Sequence, residues 1–112
     1  MQQIYIKIKN KKMKINDLIT FGERMKGLRF RLDPIQVGVR YAKKMGINTY
    51  FLCQNVDIIM TDKDHKILYL YPNIRSEKII FPKRKVYYIY ELPTGSATTL
   101  KVGDTLAIIE DR

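Results

Sequence analysis

Few residues in this chain have the type and spacing that covalent or acid–base chemistry requires. Nucleophilic catalysis needs a nucleophile, a base and a group that orients the base. The single histidine, His65, stands beside Asp64 in what reads as an exposed surface turn. There is no Gly-rich phosphate loop and no Gly-x-Ser-x-Gly elbow. Asp62 and Asp64 lack the glycine and distal glutamate of a calcium loop. The remaining acids are scattered, with no spacing that singles out a carboxylate pair for acid–base work. Cys53 is the only cysteine, so neither an internal disulfide nor a thiolate metal cage is available. It falls in the apolar stretch Tyr50-Phe51-Leu52-Cys53 and is expected to be buried and inert. The sequence therefore points to no catalytic residue, no metal and no cofactor, and it leans away from an enzyme.

Residues suited to binding anions are more prominent. Lys83, Arg84 and Lys85 lead into Tyr87, Tyr88 and Tyr90, and Tyr69 and Tyr71 fall on another strand-like segment. Tyrosine beside Lys and Arg on a β-surface can stack bases and neutralise phosphates. The same residues can equally pack cross-strand, with lysine stems lying over the sheet. Strand alternation sends Tyr87 and Tyr88 to opposite faces, so at most one of them can stack a base. A second cluster, Glu23, Arg24, Lys26, Arg29 and Arg31, holds three arginines, whose planar donors suit carboxylate and phosphate.

The elements that position these groups are mostly strands. Ile4, Ile6 and Ile8 alternate with Tyr5, Lys7 and Lys9, the period of a half-buried strand, and Asn10-Lys11-Lys12 reads as a turn before a return strand. Thr20 with Glu23 has capping-box spacing, and Phe21, Met25 and Leu28 form an apolar helical stripe. One short helix is expected, about Phe21 to Gly27. From Pro34 onward the pattern is β: Val37, Val39 and Tyr41 alternate, a basic connection Lys43-Lys44 follows, and Thr49 to Met60 reads as a strand with a bend at Gln54-Asn55. Thr61 to Asp64 is a turn. Lys66 to Tyr71 is a strand ended by Pro72-Asn73, Val86 to Leu92 another, and Leu106, Ile108 and Ile109 a last short one. Strands this short and frequent imply an all-β domain with one short helix, a small barrel or half-open barrel spanning residues 1–112 as a single domain.

Bulk properties agree with one folded domain. Of the 112 residues, 46% are hydrophobic and 29% charged, enough apolar material for a packed core. The net charge of +10 attracts polyanions at long range, whether nucleic acid, an anionic membrane or an acidic protein. Abundant Lys, Ile, Tyr and Asn also fit the background composition of an AT-rich genome. No segment reads as an export signal or approaches the ~20 apolar residues of a membrane helix. With no disulfide, the expected location is the cytoplasm.

Three motifs carry a family resemblance. Glu23-Arg24-Met25-Lys26-Gly27-Leu28-Arg29-Phe30-Arg31 resembles the Glu-Arg-x-x-Gly-Leu-Met-x-Arg opening of the bacterial and archaeal family called domain of unknown function 192. Thr49 to Ile58 is similar to that family's aromatic–Met–basic stretch followed by Pro-Ile-Asp. Glu91-Leu92-Pro93-Thr94-Gly95 and Leu100 to Asp104 are similar to its Glu-Leu-Pro-x-Gly and Gly-Asp close. The resemblance spans about Ile15 to Ile109. Departures are Arg29 for the usual Met, Leu52-Cys53 for Met and a basic residue, Asn55 for Pro, and Asn48 where many members carry His. The resemblance implies a compact β-barrel-like fold with a short helix, and no reaction. It implies that Arg24 and Asp57 pair, and that any ligand site, suited to an anion, lies where Arg24, Arg29 and Arg31 meet the Asp57 strand. It makes Gly27, Leu28, Glu91, Pro93, Gly95, Gly103 and Asp104 structural, the glycines in turns and helix ends. The leading expectation is a binding domain for a small anion or a protein partner, followed by a nucleic-acid binder and then an enzyme of unassigned chemistry.

Overall fold

The structure, a computed structural model, describes residues 2–110. Strands β1 (Gln2–Ile8) and β2 (Lys11–Leu18) form a hairpin, and helix α1 (Phe21–Lys26) follows. Then come β3 (Gly38–Ala42), β4 (Ile47–Asn48), β5 (Val56–Thr61), β6 (Ile67–Ile74), β7 (Ile79–Ile80), β8 (Tyr88–Pro93) and β9 (Ala107–Glu110). The protein is all-β with one short helix. Seven strands, in the order β6-β5-β8-β3-β2-β1-β9, make one curled half-barrel sheet, and β4 and β7 pair separately. All sheet pairings are antiparallel except β2 with β3. A parallel pair needs a crossover rather than a tight turn, and residues 19–37, with α1 inside them, supply it.

Period-two patterning sorts side chains onto two cores. From β5, next to the β6 edge, Val56, Ile58 and Met60 join Tyr41, Ile89, Leu28, Ile47 and Leu52 beneath the β4–β7 ribbon. Ile59 faces the other way, with Ile6, Ile15, Tyr90 and Leu92, inside the curl. Both faces of β5 are therefore covered and every residue in it is buried, which is why Ile58-Ile59-Met60 is a continuous apolar run rather than an alternating one. At Gly38 on β3, a Cβ would come within 2.5 Å of Leu92 and 2.9 Å of Ile15, so only glycine lets β2, β3 and β8 close over this core.

Several sequence expectations are corrected. Thr49 to Asn55 is a compact turn rather than strand, in which Phe51 takes a left-handed φ of 66°. Leu52 then faces the core and Cys53 is exposed, not buried. The turn is held by Gln54, whose amide donates to the carbonyls of Arg31 and Asp33 and accepts from the Ile35 N–H. Strand β6 runs through Pro72 to Ile74 instead of stopping before it. As the sheet edge it needs no donor on its outer side, so a proline is tolerated there. The Phe21 and Met25 stripe does not face the core: Phe21 is 79% and Met25 58% exposed, and only Leu28 is buried. Helix α1 is held by its ends instead. Thr20 accepts from the Glu23 N–H, and Glu23 accepts from the N–H groups of Ile19 and Thr20, which holds its carboxyl down at about 2.

Candidate functional site

Two segments of the chain, residues 21–29 and residues 41–48, meet beside α1. The crossover brings Arg24, Met25 and Arg29, strand β3 brings Tyr41, the β3–β4 connection brings Lys44, and β4 brings Ile47 and Asn48. With Phe21 they line a cavity of about 250 Å³. Arg29 organises it. Its guanidinium donates to the carbonyl of Met25, to the Tyr50 carbonyl at 3.1 Å and to Asn48 Oδ1 at 2.9 Å, tying the end of α1 to β4 and the turn after it. Arg24 and Lys44 have no carboxylate partner among the described residues. Both instead lie near the Tyr41 ring, at 5.7 and 5.4 Å from its centroid.

Behind Tyr41 lies Glu91 on β8, 2% exposed. The Tyr41 hydroxyl donates to Glu91 Oε1 at 3.0 Å. Burial pushes the Glu91 carboxyl up to about 7, although the Tyr41 hydroxyl, Arg29 and Lys44 pull the other way. Burial and the Glu91 charge also hold the Tyr41 phenol well above its ordinary value, against the pull of Arg29 and Arg24. The Lys44 ammonium is held below its usual value, first by burial and then by repulsion from Arg24 and Arg29. Gly27 ends α1 at φ +49°, and a Cβ there would lie 2.0 Å from the Tyr41 hydroxyl oxygen. The helix end thus packs directly on the Tyr41–Glu91 pair, which joins the first and last sequence motifs at one place. Arg29 and Lys44 thus act on the buried Glu91 carboxyl, and Arg24 and Arg29 on the Tyr41 phenol that covers it.

The other sequence-singled residues lie elsewhere. Asp57 does not pair with Arg24. Its Oδ1 accepts from the Asn73 N–H at 2.8 Å and its Oδ2 from the Ala97 N–H at 2.9 Å, so it straps β5 to β6 and to the loop after β8. Arg31 is exposed and outside the cavity, its carbonyl taken by Gln54. Leu28 is buried in the core beneath the β4–β7 ribbon, Pro93 ends β8, and Gly95 and Gly103 turn at φ +90° and +99°. Asp104 Oδ2 accepts from the Lys101 N–H at 2.9 Å.

The tyrosines proposed for base stacking are engaged within the protein. Lys83 sits 5.7 Å from the Tyr69 ring and Lys63 5.6 Å from Tyr87. Tyr87 packs edge-on against Tyr88, which also stacks on His65 at 5.1 Å and carries Arg40 at 4.6 Å. Arg84 and Lys85 are exposed, and only Tyr69 of the three tyrosines is open to solvent. His65 is half-buried rather than fully exposed, and burial together with Arg40 holds its pKa low against Asp62 and Asp64. Arg40 makes a bidentate pair with Asp17, both bonds at 2.9 Å.

A different basic surface stands out. Lys7, Lys9, Lys11, Lys12 and Lys14 crowd the β1–β2 hairpin, with Lys7 directly opposite Lys12, and no carboxylate pairs with them among the described residues. The hairpin tip and the loop Thr94–Thr99 border an open cleft of about 800 Å³ whose lining has no acidic residue.

Sequence reasoning missed Tyr41 and Lys44 as site residues, named Asn48 only as a departure from the resembled family, and made Glu91 only structural. The signals available were the motif positions of Asn48 and Glu91 and the basic connection that holds Lys44, just after an alternating strand.

The chain matches no protein-family model and no curated protein sequence. Its fold has solved counterparts. One is the crystal structure of a "putative transcription regulator" from Sinorhizobium meliloti 1021, with a TM-score of 0.75 at 15% identity over 97% of this chain and 92% of that one. Another is a protein of unknown function from Novosphingobium aromaticivorans DSM 12444, with a TM-score of 0.75 at 19% identity over 94% of this chain and 83% of that one. At these identities the likeness shows the half-barrel fold alone. Among the described residues no helix is long and apolar enough to cross a membrane.

Proposed function

We propose that this protein is a binding domain for a small anion, held in the cavity between α1, β3 and β4 by Arg24, Lys44 and Arg29. The supporting observation is the convergence of three cations, two without a carboxylate partner among the described residues, on a cavity behind whose Tyr41 wall the Glu91 carboxyl is buried and raised to about 7. Such cations repel one another, and a bound phosphate or carboxylate relieves that repulsion. Glu91 has the titration expected of an acid–base group, but Tyr41 separates it from the cavity, which favours binding over catalysis. We further propose that the chain is a divergent member of the domain of unknown function 192 family. The meeting of the Arg24–Arg29 and Glu91 motifs at this cavity supports that reading.

In isothermal titration with inorganic phosphate, the wild-type protein should bind and the Arg24→Gln/Lys44→Gln variant should bind at least about tenfold more weakly, since each lost charge-assisted bond contributes about 1.5–3 kcal/mol. Equal affinity in the two proteins, or no heat beyond that of chloride at matched ionic strength, would sink the proposal.

A second reading, nucleic-acid binding, gains support from the hairpin lysines rather than from Lys83–Lys85. The description of the Sinorhizobium protein is compatible with it. Fluorescence anisotropy with single-stranded RNA and duplex DNA provides the check. Under this reading, Lys9→Glu/Lys12→Glu/Lys14→Glu weakens binding at near-physiological salt and flattens its salt dependence, and the same change at Lys83, Arg84 and Lys85 has little effect. Binding confined to low salt reduces the +10 charge to a nonspecific field.

A further inference from the structure

The apolar stripe of α1 has no core to cover, and its position next to the anion cavity gives it a use. Helix α1 buries none of its own six side chains. Phe21 and Met25, one turn apart, are mostly exposed and form part of the cavity wall, with buried Ile47 below. Adjoining Arg29 is a second apolar element, the stacked pair Phe30 and Phe51, 5.3 Å apart and tied by the Phe30 N–H to Phe51 carbonyl bond. Both are exposed and both hold left-handed backbone, φ 64° and 66°, a conformation rare for bulky residues and frequent at binding sites. Large exposed apolar side chains grouped around a charged cavity mark a contact surface rather than ordinary surface scatter.

Size limits what the cavity itself can hold. At about 250 Å³ it is smaller than the ~300–1,000 Å³ of most drug-sized ligand sites. It has room for an anionic head, and the remainder of any larger ligand must lie along the rim, where Phe21 and Met25 are. From this juxtaposition, and resting on the anion-site reading above, we infer that the ligand is an amphipathic anion: a phosphate monoester whose head sits among Arg24, Arg29 and Lys44 and whose alkyl or acyl chain lies over Phe21 and Met25. Charge complementarity favours the phosphate, because three cations match a dianionic head. Methionine suits an unbranched chain because its flexible, polarisable side chain adapts to an irregular contact.

The test compares inorganic phosphate with octyl phosphate below its micellar concentration, by isothermal titration against the wild-type chain and Phe21→Ser/Met25→Ser. Each methylene buried is worth about fourfold in affinity, so octyl phosphate should bind at least about tenfold tighter than phosphate. In the double variant the ratio of the two affinities should fall to about one, whatever its affinity for inorganic phosphate. Because α1 contributes no side chain to the core, the variant should fold, and a thermal melt confirms it; Phe21→Ser alone serves if it does not. Equal affinity for the two ligands, or an undiminished gain in the variant, overturns this inference and leaves the anion site standing. Absence of binding by either ligand sinks the anion site itself. Co-sedimentation with phosphatidylglycerol vesicles without binding of monomeric octyl phosphate also overturns the inference, because the stripe then reads a bilayer surface.

Discussion

Replacing Asp57 with alanine should cost about 4 kcal/mol of stability and leave phosphate binding at the α1 cavity unchanged. The carboxylate is 1% exposed and each oxygen accepts one backbone N–H, from Asn73 and from Ala97. Bonds to an ionised group contribute about 1.5–3 kcal/mol each, and an unpaired donor left behind carries its own desolvation cost. The Asn73 bond lies at a bulge. The β5–β6 register shifts between Val56 and Ile58, and Asn73 takes φ 53° there. Asn73 Oδ1 in turn accepts from Asn55 and Thr94, so one aspartate anchors the edge strand and the loop after β8 together. A domain stable by about 5–15 kcal/mol would lose a large share of that margin. Urea unfolding of Asp57→Ala and Asp57→Asn measures the effect, with Asn expected to lie between because it retains one acceptor. A loss under about 1 kcal/mol would mean that water replaces the strap. A loss of phosphate affinity without a loss of stability would return Asp57 to the ligand site.

That contrast shows where the sequence was informative. Local signals were read well: the Ile4, Ile6, Ile8 alternation became β1, and the Thr20–Glu23 capping box opens α1. Both depend on residues within a few positions of each other. Errors arose where a distant partner decides the outcome. Cys53 looked buried because its neighbours are apolar, yet Gln54 reaches back to Arg31 and Asp33 and turns the chain so that Leu52 goes inward. Phe21 and Met25 had core spacing, but the crossover from β2 to β3 sets the helix over the cavity. Arg24 and Asp57 were matched as the charged members of two motifs, and charge alone cannot tell a buried strap from a binding group. Tyr41 and Lys44 were visible as one strand residue and one lysine of a basic connection. Only the parallel β2–β3 pairing and the long-range Tyr41–Glu91 bond make them a site.

Glu91→Gln should raise stability at pH 8.5 by up to about 3 kcal/mol and have almost no effect at pH 4. Burial is the first cause of the Glu91 shift, from 4.5 to about 7 in the folded protein. Between those values the native state holds a proton that the unfolded state has released, so the native state binds more protons and stability falls as pH rises. The penalty is absent below about 4.5 and complete above about 7. At about 1.4 kcal/mol per unit it amounts to about 3 kcal/mol. Glutamine keeps the acceptor for the Tyr41 hydroxyl and never ionises, so urea midpoints of the variant should lack the wild-type decline across this window. A variant less stable than wild type at pH 8.5 would show instead that the ionised carboxylate repays its burial through Arg29 and Lys44. The same competition reaches the ligand. Ionised Glu91 partly neutralises the cations that an anion needs, so phosphate should bind more tightly to Glu91→Gln than to wild type above pH 7. The difference should close as wild-type Glu91 takes up its proton.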